Sequence, residues 1–294
     1  MPAHPPSDDR PVLLVGATGS LGGQILRQLL SRGKTVRALV RPGSDVSGLP
    51  TERVEIVRGD MLDPASLAPA MSGVSAVVSS AIGYSRRRET DSLRTDTEGN
   101  RHLVDAAKKA GVPKFVFLSI LACDQAREVP HFWAKKETED HLAKQGVPFV
   151  ALRPGAFLGG PWVRAALENG RVFGMTPAGI RITYIAPAEV ARALSLAVDD
   201  PRALGRRIDL GSDRALSGPE LADLLGGLLG RPLELSPMAA RDADMLAMVR
   251  FFHTGKYVAD TRVQQELFGP VPKIEEAARR MLVDFGLLPG TAGR

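Results

Sequence analysis

The 294-residue chain has little cysteine, few aromatic side chains and no long apolar run. Its single cysteine, Cys123, excludes an intramolecular disulfide and a cysteine-rich zinc site, and it fits a reducing compartment such as the cytoplasm. No stretch approaches the roughly 18 consecutive apolar residues that a membrane span requires. Residues 1–10 lack the basic and apolar regions of a signal peptide, so they predict a disordered tail and a cytoplasmic location without membrane contact.

The charge is only mildly basic, with 38 Lys and Arg against 33 acidic residues. The one dense cationic cluster is Arg86–Arg88, and 5% of the residues are aromatic. Nucleic-acid binding needs several cations along one face, with aromatic side chains for stacking. The composition therefore argues against a nucleic-acid partner, and the spacing of His, Cys and acidic residues predicts no metal site.

Short β-branched runs alternate with amphipathic segments, a pattern typical of βαβ units and a parallel sheet. Strands are predicted at 12–15, 36–40, 54–57, 76–80, 115–118, 149–152 and 207–210, and helices at 21–30, 100–110, 187–198, 218–229 and 274–285. After residue 155 the alternation weakens and Pro and Gly become denser. We therefore predict a first domain over 11–155 and a smaller α+β lobe over 156–294, placed to close over the carboxyl ends of the strands.

The segment GATGSLGG connects the first predicted strand to the first helix. Gly16 permits a tight turn, Gly19 lets the backbone approach a pyrophosphate, and Gly22 allows close packing of the helix on the strand. The N–H groups at the helix start are available to an anion, and the residues there are Thr18, Ser20 and Leu21. This context predicts a dinucleotide site in a Rossmann-type, doubly wound α/β fold, with the later lobe binding substrate.

The end of the second strand indicates which dinucleotide is bound. A site that selects NAD usually ends this strand with Asp or Glu, which binds the ribose 2′-hydroxyl. Here the strand ends Val40-Arg41, and a guanidinium can form two hydrogen bonds to a 2′-phosphate. We therefore expect NADP(H) to be preferred, with NAD(H) possible.

The glycine spacing resembles that of the extended and atypical short-chain dehydrogenases/reductases, and in particular the NmrA-like NAD(P)-binding proteins. The resemblance covers nearly the whole chain. Its further segments are VRALVR at 36–41, GDML at 59–62, DTEGN at 96–100, KFVFLS at 114–119, KKETE at 135–139, LRPGAF at 152–157 and ELFG at 266–269. Together these motifs are specific for the superfamily and uninformative about the substrate.

The resemblance implies further cofactor-binding residues. Asp60 and Met61 are placed beside the adenine, although Asp60 is equally explained as a turn-capping residue. The run after the fourth strand, Ser79, Ser80, Ala81 and Ile82, is expected along the inner ribose and pyrophosphate. The run Pro154, Gly155 and Phe157 is expected near the nicotinamide.

The superfamily's usual catalytic Tyr-x-x-x-Lys pair is incomplete. Aligning the family pattern on 135–139 places Lys135 at the lysine and His131 at the tyrosine, and the carbonyl-polarising serine falls on Ile120, one residue after Ser119. Three interpretations remain open: His131 supplies a proton while Lys135 binds the nicotinamide ribose; Lys135 alone acts and the acceptor needs little acid assistance; or His131 faces solvent and Lys135 only holds cofactor in a non-catalytic protein.

The two function hypotheses follow from these interpretations. The first is an NADPH-dependent reductase that transfers a hydride to a small, largely apolar acceptor such as a quinone, enone or aryl ketone. Its predicted substrate-binding residues are Tyr84, Trp133, Phe157 and Trp162. The alternative is a redox sensor of the NmrA kind that binds NADP(H) and a regulatory protein partner. A homodimer is possible in either case.

Overall fold

A seven-stranded sheet dominates the computed structural model, which describes residues 9–83, 93–238, 240 and 242–290. The strand order is β10-β6-β5-β4-β1-β2-β3, and parallel pairings connect β3 through to β6. The strands are β1 Val12–Val15, β2 Val36–Val40, β3 Val54–Arg58, β4 Ala76–Ser79, β5 Phe115–Leu118, β6 Phe149–Pro154 and β10 Arg207–Leu210. The predicted doubly wound α/β fold is confirmed.

Helices connect the strands, and short strands outside the sheet follow β6. The helices are α1 Ser20–Ser31, α2 Ala68–Met71, α3 Asn100–Lys109, α4 Pro130–Gln145, α5 Pro161–Glu168, α6 Pro187–Asp199, α7 Gly218–Leu229, α8 Ala243–Phe252, α9 Arg262–Phe268 and α10 Ile274–Asp284. The short strands pair as β7 Ala156–Phe157 with β9 Tyr184–Ile185, and β8 Arg171–Gly174 with β11 Glu234–Pro237. The predicted elements agree to within two residues at each end. Strands β7, β8, β9 and β11 and helices α2, α4, α5, α8 and α9 were not given bounds in the prediction.

The strand order reverses direction between β1 and β4. The chain proceeds from β1 outward to β2 and β3, and then returns to pair β4 on the other side of β1. In an open α/β sheet, ligands bind in the crevice beyond the carboxyl ends of the strands at such a reversal. The glycine turn after β1 and the loop after β4 therefore lie side by side at this position.

The chain divides into two compact units. Unit 1 comprises Met1–Ser119, Ala134–Leu152 and Ala191–Arg207, and unit 2 comprises Ile120–Trp133, Arg153–Val190 and Ile208–Arg294. Most of the predicted tail lies outside the described residues, and the domain boundary near residue 155 stays a prediction. None of the helices in the described ranges is both long enough and apolar enough to span a membrane.

Each unit has its own apolar core. In unit 1 the strands supply fully buried side chains, including Leu13 and Phe117, against which Leu103 and Val104 of α3 pack. Unit 2 is built around a cluster of rings in which Phe132 packs within 6.2 Å of Phe252 and 5.7 Å of Tyr257, centroid to centroid. Continuous apolar strands are typical of a sheet covered on both faces, which explains why the sequence predicted the strands of unit 1 well.

Candidate functional site

The glycine turn of unit 1 is built so tightly that side chains are excluded from it. Gly16 has a φ of +98°, and a Cβ at Gly22 would lie 1.9 Å from the carbonyl oxygen of Gly16. The Gly19 N–H donates to the same oxygen over 3.0 Å. A Cβ at the neighbouring Gly23, in contrast, would come no closer than 3.9 Å to any atom. The turn therefore brings the start of α1 directly against the end of β1.

The amino end of α1 has the properties of an anion site. Its N-cap is Gly19, no side chain caps it, and its first turn contains no acidic residue. Free backbone N–H groups and the positive end of the helix dipole thus remain available to a phosphate. The cradle that a Cβ would fill and the uncapped helix start both fit the pyrophosphate of a dinucleotide.

The loop after β4 lies against this turn, as the resemblance predicts. The Ser80 N–H and hydroxyl both donate to the carbonyl oxygen of Val15, at 3.0 and 3.1 Å. A Cβ at Gly16 would meet the Ser80 hydroxyl at 2.9 Å. The Ser79 hydroxyl is buried without a hydrogen-bond partner among the described residues, and Ile82 is 39% exposed. The structure therefore brings 79–82 together with the glycine turn.

The predicted adenosine residues follow β2 and β3. Arg41 is exposed at the end of β2. Met61 is buried, and its carbonyl oxygen lies 2.9 Å from Nδ1 of His102. The Asp60 carboxylate accepts from the Leu62 N–H over 2.9 Å, the turn-capping role that the sequence left open. An adenine contact of Asp60 stays a prediction.

Lys135 lies in α4 with 2% of its surface exposed. Its ammonium donates to Oδ1 of Asp96 over 3.3 Å and lies 5.2 Å from the centre of the Phe117 ring. The other Asp96 oxygen accepts from the Gly83 N–H over 3.0 Å. Lys135 is therefore connected through one buried carboxylate to the loop that begins at Ser79.

Sequence reasoning did not assign a role to Asp96. It lies in one turn of π-helix, Thr95–Gly99, directly before α3. Turns of this kind occur often at functional sites, because the extra residue redirects a side chain. Asp96 belongs to the DTEGN segment of the family pattern, but Lys135, with which it pairs, is 39 positions away. No local spacing in the sequence therefore indicates that the two residues meet.

Ser119 is committed to a different network. Its hydroxyl donates to Oε1 of Glu139 over 2.6 Å, and Oε2 of the same fully buried carboxylate accepts from Arg207 over 2.7 Å. This chain of hydrogen bonds connects the end of β5 to α4 and β10. Ser119 thus stabilises unit 1, and the carbonyl-polarising serine of the family pattern has no counterpart at this position.

His131, in unit 2, is the second residue of α4 and is 6% exposed. Of the three interpretations, the one in which His131 faces solvent is wrong, because its Nδ1 pairs with Oδ1 of Asp244 over 2.6 Å. A carboxylate hydrogen-bonded to one imidazole nitrogen fixes the orientation of the ring. Asp244 lies in the first turn of α8, 113 positions from its partner, so sequence spacing did not indicate it.

The remaining predicted residues belong to unit 2 or lie outside the described part. Trp133 is half-buried with the Arg127 guanidinium 5.7 Å from its ring, and Phe157 is 39% exposed. The Pro154 carbonyl accepts from the Leu121 N–H, and a Cβ at Gly155 would lie 2.5 Å from the Thr183 oxygen. Tyr84 and the side chain of Trp162 are outside the described residues. The substrate and nicotinamide contacts of all these residues stay predictions.

Asp209 of unit 2 gives a prediction about stability and pH. Burial raises the pKa of its carboxyl, against the lowering effects of the Asp260 N–H and the Arg153 charge. Between the ordinary carboxyl pKa of about 3.9 and the raised pKa of the folded state, the native protein holds a proton that the unfolded chain has released. The free energy of unfolding therefore decreases as the pH rises through this range. Asp209→Asn should therefore raise the melting temperature near neutral pH, and the gain should shrink as the pH approaches about 4.

The neighbouring Asp260 provides a control of opposite sign. Its hydrogen bonds with the Arg262 side chain hold the pKa of the Asp260 carboxyl at about 2. Asp260→Asn should therefore slightly lower the melting temperature at neutral pH. Thermal unfolding of both variants across the pH range tests the pair, and a destabilised Asp209→Asn at neutral pH would contradict the assignment.

Three comparisons place these features among known proteins. A family model described as NAD(P)H-binding matches residues 16–201. The chain is 31% identical over 286 residues to the photosystem II assembly factor Ycf39 of Synechocystis sp., covering 95% of this chain and 86% of that protein. Two solved structures share the fold, and both are enzymes by name. One is the triphenylmethane reductase of Citrobacter sp., which is 22% identical, covers 93% of this chain and 99% of that chain, and has a TM-score of 0.78. The other is an NADPH-dependent quinone oxidoreductase of Escherichia coli solved with NADPH, which is 24% identical, covers 92% of this chain and 99% of that chain, and has a TM-score of 0.77.

Among the residues that the structure describes, no group of three or more His, Cys, Asp or Glu side chains is arranged to hold a metal ion. Two buried carboxylates of unit 1 form ion pairs: Asp96 with Lys135, and Glu139 with Arg207.

Proposed function

The chain belongs to the NAD(P)H-binding family and to the atypical short-chain dehydrogenases/reductases, and from this premise we propose that it is an NADPH-dependent reductase. The proposed acceptor is small and largely apolar: a quinone, an enone, an aryl ketone or a similar molecule. A cytoplasmic location and a homodimer remain predictions that accompany this proposal. One observation carries it above all others, the buried Lys135 that an equally buried carboxylate holds at the dinucleotide loop.

The burial of this pair has a free-energy cost. An ammonium and a carboxylate that are each 2% exposed cost several kcal/mol to desolvate, and their mutual attraction often only offsets that cost. A pair of this kind persists where a charged group is needed at a defined position. In the proposed enzyme, Lys135 binds the nicotinamide ribose and keeps the reactive ring in place.

The bound dinucleotide supplies a hydride, and the residues of the chain supply position and protons. In the proposed enzyme, the glycine turn and the uncapped start of α1 would hold the pyrophosphate, and residues 79–82 would lie along the inner ribose; the tight turn and the free helix start support this assignment. His131, oriented by Asp244, is the proposed source of a proton for acceptors that need one. An activated acceptor such as a quinone requires little acid assistance, so its reduction depends chiefly on Lys135.

Arg41 is assigned to the adenosine 2′-phosphate, which predicts the cofactor preference. Arg41→Asp should weaken NADPH binding about a hundred-fold, because it removes charge-assisted hydrogen bonds and adds a repulsive charge. NADH binding should stay unchanged or improve, since Asp accepts from a ribose 2′-hydroxyl. Fluorescence titration of both dinucleotides measures the ratio, and an unaltered ratio would contradict the assignment.

The test of the proposed activity is NADPH oxidation in the presence of a panel of quinones, enones, aryl ketones and triarylmethane dyes. We expect turnover with at least one class of acceptor. A protein that binds NADPH and oxidises it with none of them would refute the reductase proposal.

The second candidate is a non-catalytic protein that binds NADP(H) and a protein partner. Two observations favour it: His131 stands where the family pattern has its tyrosine, and Ycf39 is named as an assembly factor. In that case binding of a partner should differ between NADP⁺ and NADPH while neither is consumed.

A further inference from the structure

Two arginines stand at the carboxyl ends of neighbouring strands in unit 1. Strands β2 and β3 pair in parallel with Val40 opposite Arg58, so Arg41 follows one position beyond that pair. The order β1-β2-β3 places Arg41 between the glycine turn and Arg58. Adjacent strands in a sheet are about 4.8 Å apart, so both arginines belong to the same small region of the sheet edge.

Arg58 is anchored to the turn that contains Arg41. Its Nη1 donates to the carbonyl oxygen of Arg41 over 3.0 Å and to that of Ser44 over 2.9 Å. The turn itself is closed by the Ser44 N–H, which donates to Arg41 over 3.1 Å. A flexible arginine side chain is thereby ordered, and a guanidinium has further N–H donors on its other atoms.

Neither Arg41 nor Arg58 forms an ion pair with any carboxylate in the described part of the chain. The nearby acids are bonded elsewhere: Asp45 accepts from the Ser47 N–H, Glu55 from Arg37, and Asp60 from the Leu62 N–H. Two arginines at neighbouring strand ends, neither paired with a carboxylate, attract an anion with several oxygens.

A cavity borders the same turn. It has a volume of about 400 Å³, and residues of the glycine turn and of the loop after Ser44 line it, among them Thr18, Gly19, Asp45 and Leu49. The loop wall continues directly from the turn that Arg58 braces. The cavity and the two arginines therefore belong to neighbouring parts of unit 1, connected through the turn that begins at Arg41.

We propose that Arg58 is a second specificity-determining residue, which binds the 2′-phosphate of NADPH together with Arg41. The inference deepens the proposed function and rests on it for the identity of the dinucleotide. Arg58 acts in two ways: its Nη1 fixes the backbone of Arg41, and its remaining donors face the phosphate. Because NADH lacks that phosphate, the affinity for NADH should not depend on Arg58.

The experiment measures dissociation constants of NADPH and NADH, and of the fragments 2′,5′-ADP and 5′-AMP, for wild type and variants. Arg58→Met should weaken the binding of NADPH and 2′,5′-ADP about ten-fold, the contribution of one charge-assisted hydrogen bond. The dissociation constants of NADH and 5′-AMP should stay within about two-fold of their wild-type values. Arg58→Lys keeps the charge but loses the hydrogen bonds that Nη1 of Arg58 donates to two carbonyl oxygens. Its affinity for NADPH should therefore lie between those of wild type and Arg58→Met. The NADPH effect should also shrink at high salt.

Arg53→Met is the matched control, because Arg53 immediately precedes the same strand at its opposite end and its loss changes the net charge equally. It should leave all four constants unchanged. Equal loss of NADPH and NADH affinity in Arg58→Met would assign Arg58 a structural role only, and no loss would remove it from the site; either result overturns the inference. Failure of wild type to bind NADPH would instead refute the proposed function, so the two failures are distinguishable.

Discussion

Replacing Gly22 with alanine should abolish dinucleotide binding, with a loss of affinity of about a hundred-fold or more. The added Cβ would lie 1.9 Å from the Gly16 oxygen and 2.6 Å from the Gly16 carbonyl carbon. Both are backbone atoms, so no side chain can rotate away, and the turn has to open. An opened turn moves the start of α1 away from β1 and disperses the N–H groups that bind the pyrophosphate.

Gly23→Ala is the control for this result. It adds the same methyl group one position along the same helix, where the nearest atoms are 3.9 Å away. Alanine favours the helix over glycine by about 1 kcal/mol, so this variant should bind NADPH normally and melt at a slightly higher temperature. Titration and thermal unfolding of both variants measure the contrast. Equal NADPH affinity in the two would contradict the assigned role of the turn.

Lys135→Met should reduce NADPH turnover about a hundred-fold, because the nicotinamide ribose loses the group that positions it. The half-buried neighbour Lys136, which pairs with the exposed Asp140 four residues later on α4, provides the control. Lys136→Met should retain wild-type turnover. The steady-state rate with a saturating acceptor is the measurement.

The single substitution also leaves Asp96 as an uncompensated buried charge, which costs about 3–5 kcal/mol of stability. The double variant Asp96→Asn/Lys135→Met removes that charge. It should recover most of the lost stability and none of the lost turnover. Recovery of turnover in the double variant would show that Lys135 acts only on the fold, and it would contradict the positioning role.

The parts of the molecule that the sequence predicted well are those with local causes. Buried parallel strands read as short apolar runs, and the Gly16–Gly22 spacing reflects backbone distances within a single turn. The two-residue strands β7 and β9 escaped prediction because two residues carry no periodicity and their pairing partner is 28 positions away.

The candidate site was only half predictable for the same reason. Lys135 and His131 were identified from a family spacing, but their partners Asp96 and Asp244 are 39 and 113 positions distant. Only folding brings these groups together. The sequence also did not predict the burial of His131, because the second residue of a helix is usually exposed. No short-range pattern indicates that a carboxylate from another helix pairs with it.

The most direct test of the reductase proposal is a single turnover. The protein is loaded with one equivalent of NADPH and mixed with a soluble quinone, and the near-ultraviolet absorbance of the reduced dinucleotide is followed. We predict that wild type oxidises all of the bound NADPH in one rapid phase and that Lys135→Met does so much more slowly. A second equivalent of NADPH added to wild type should be oxidised in the same way. If bound NADPH is oxidised no faster than in the uncatalysed reaction with every acceptor of the panel, the result would contradict the proposal and favour the protein-binding role.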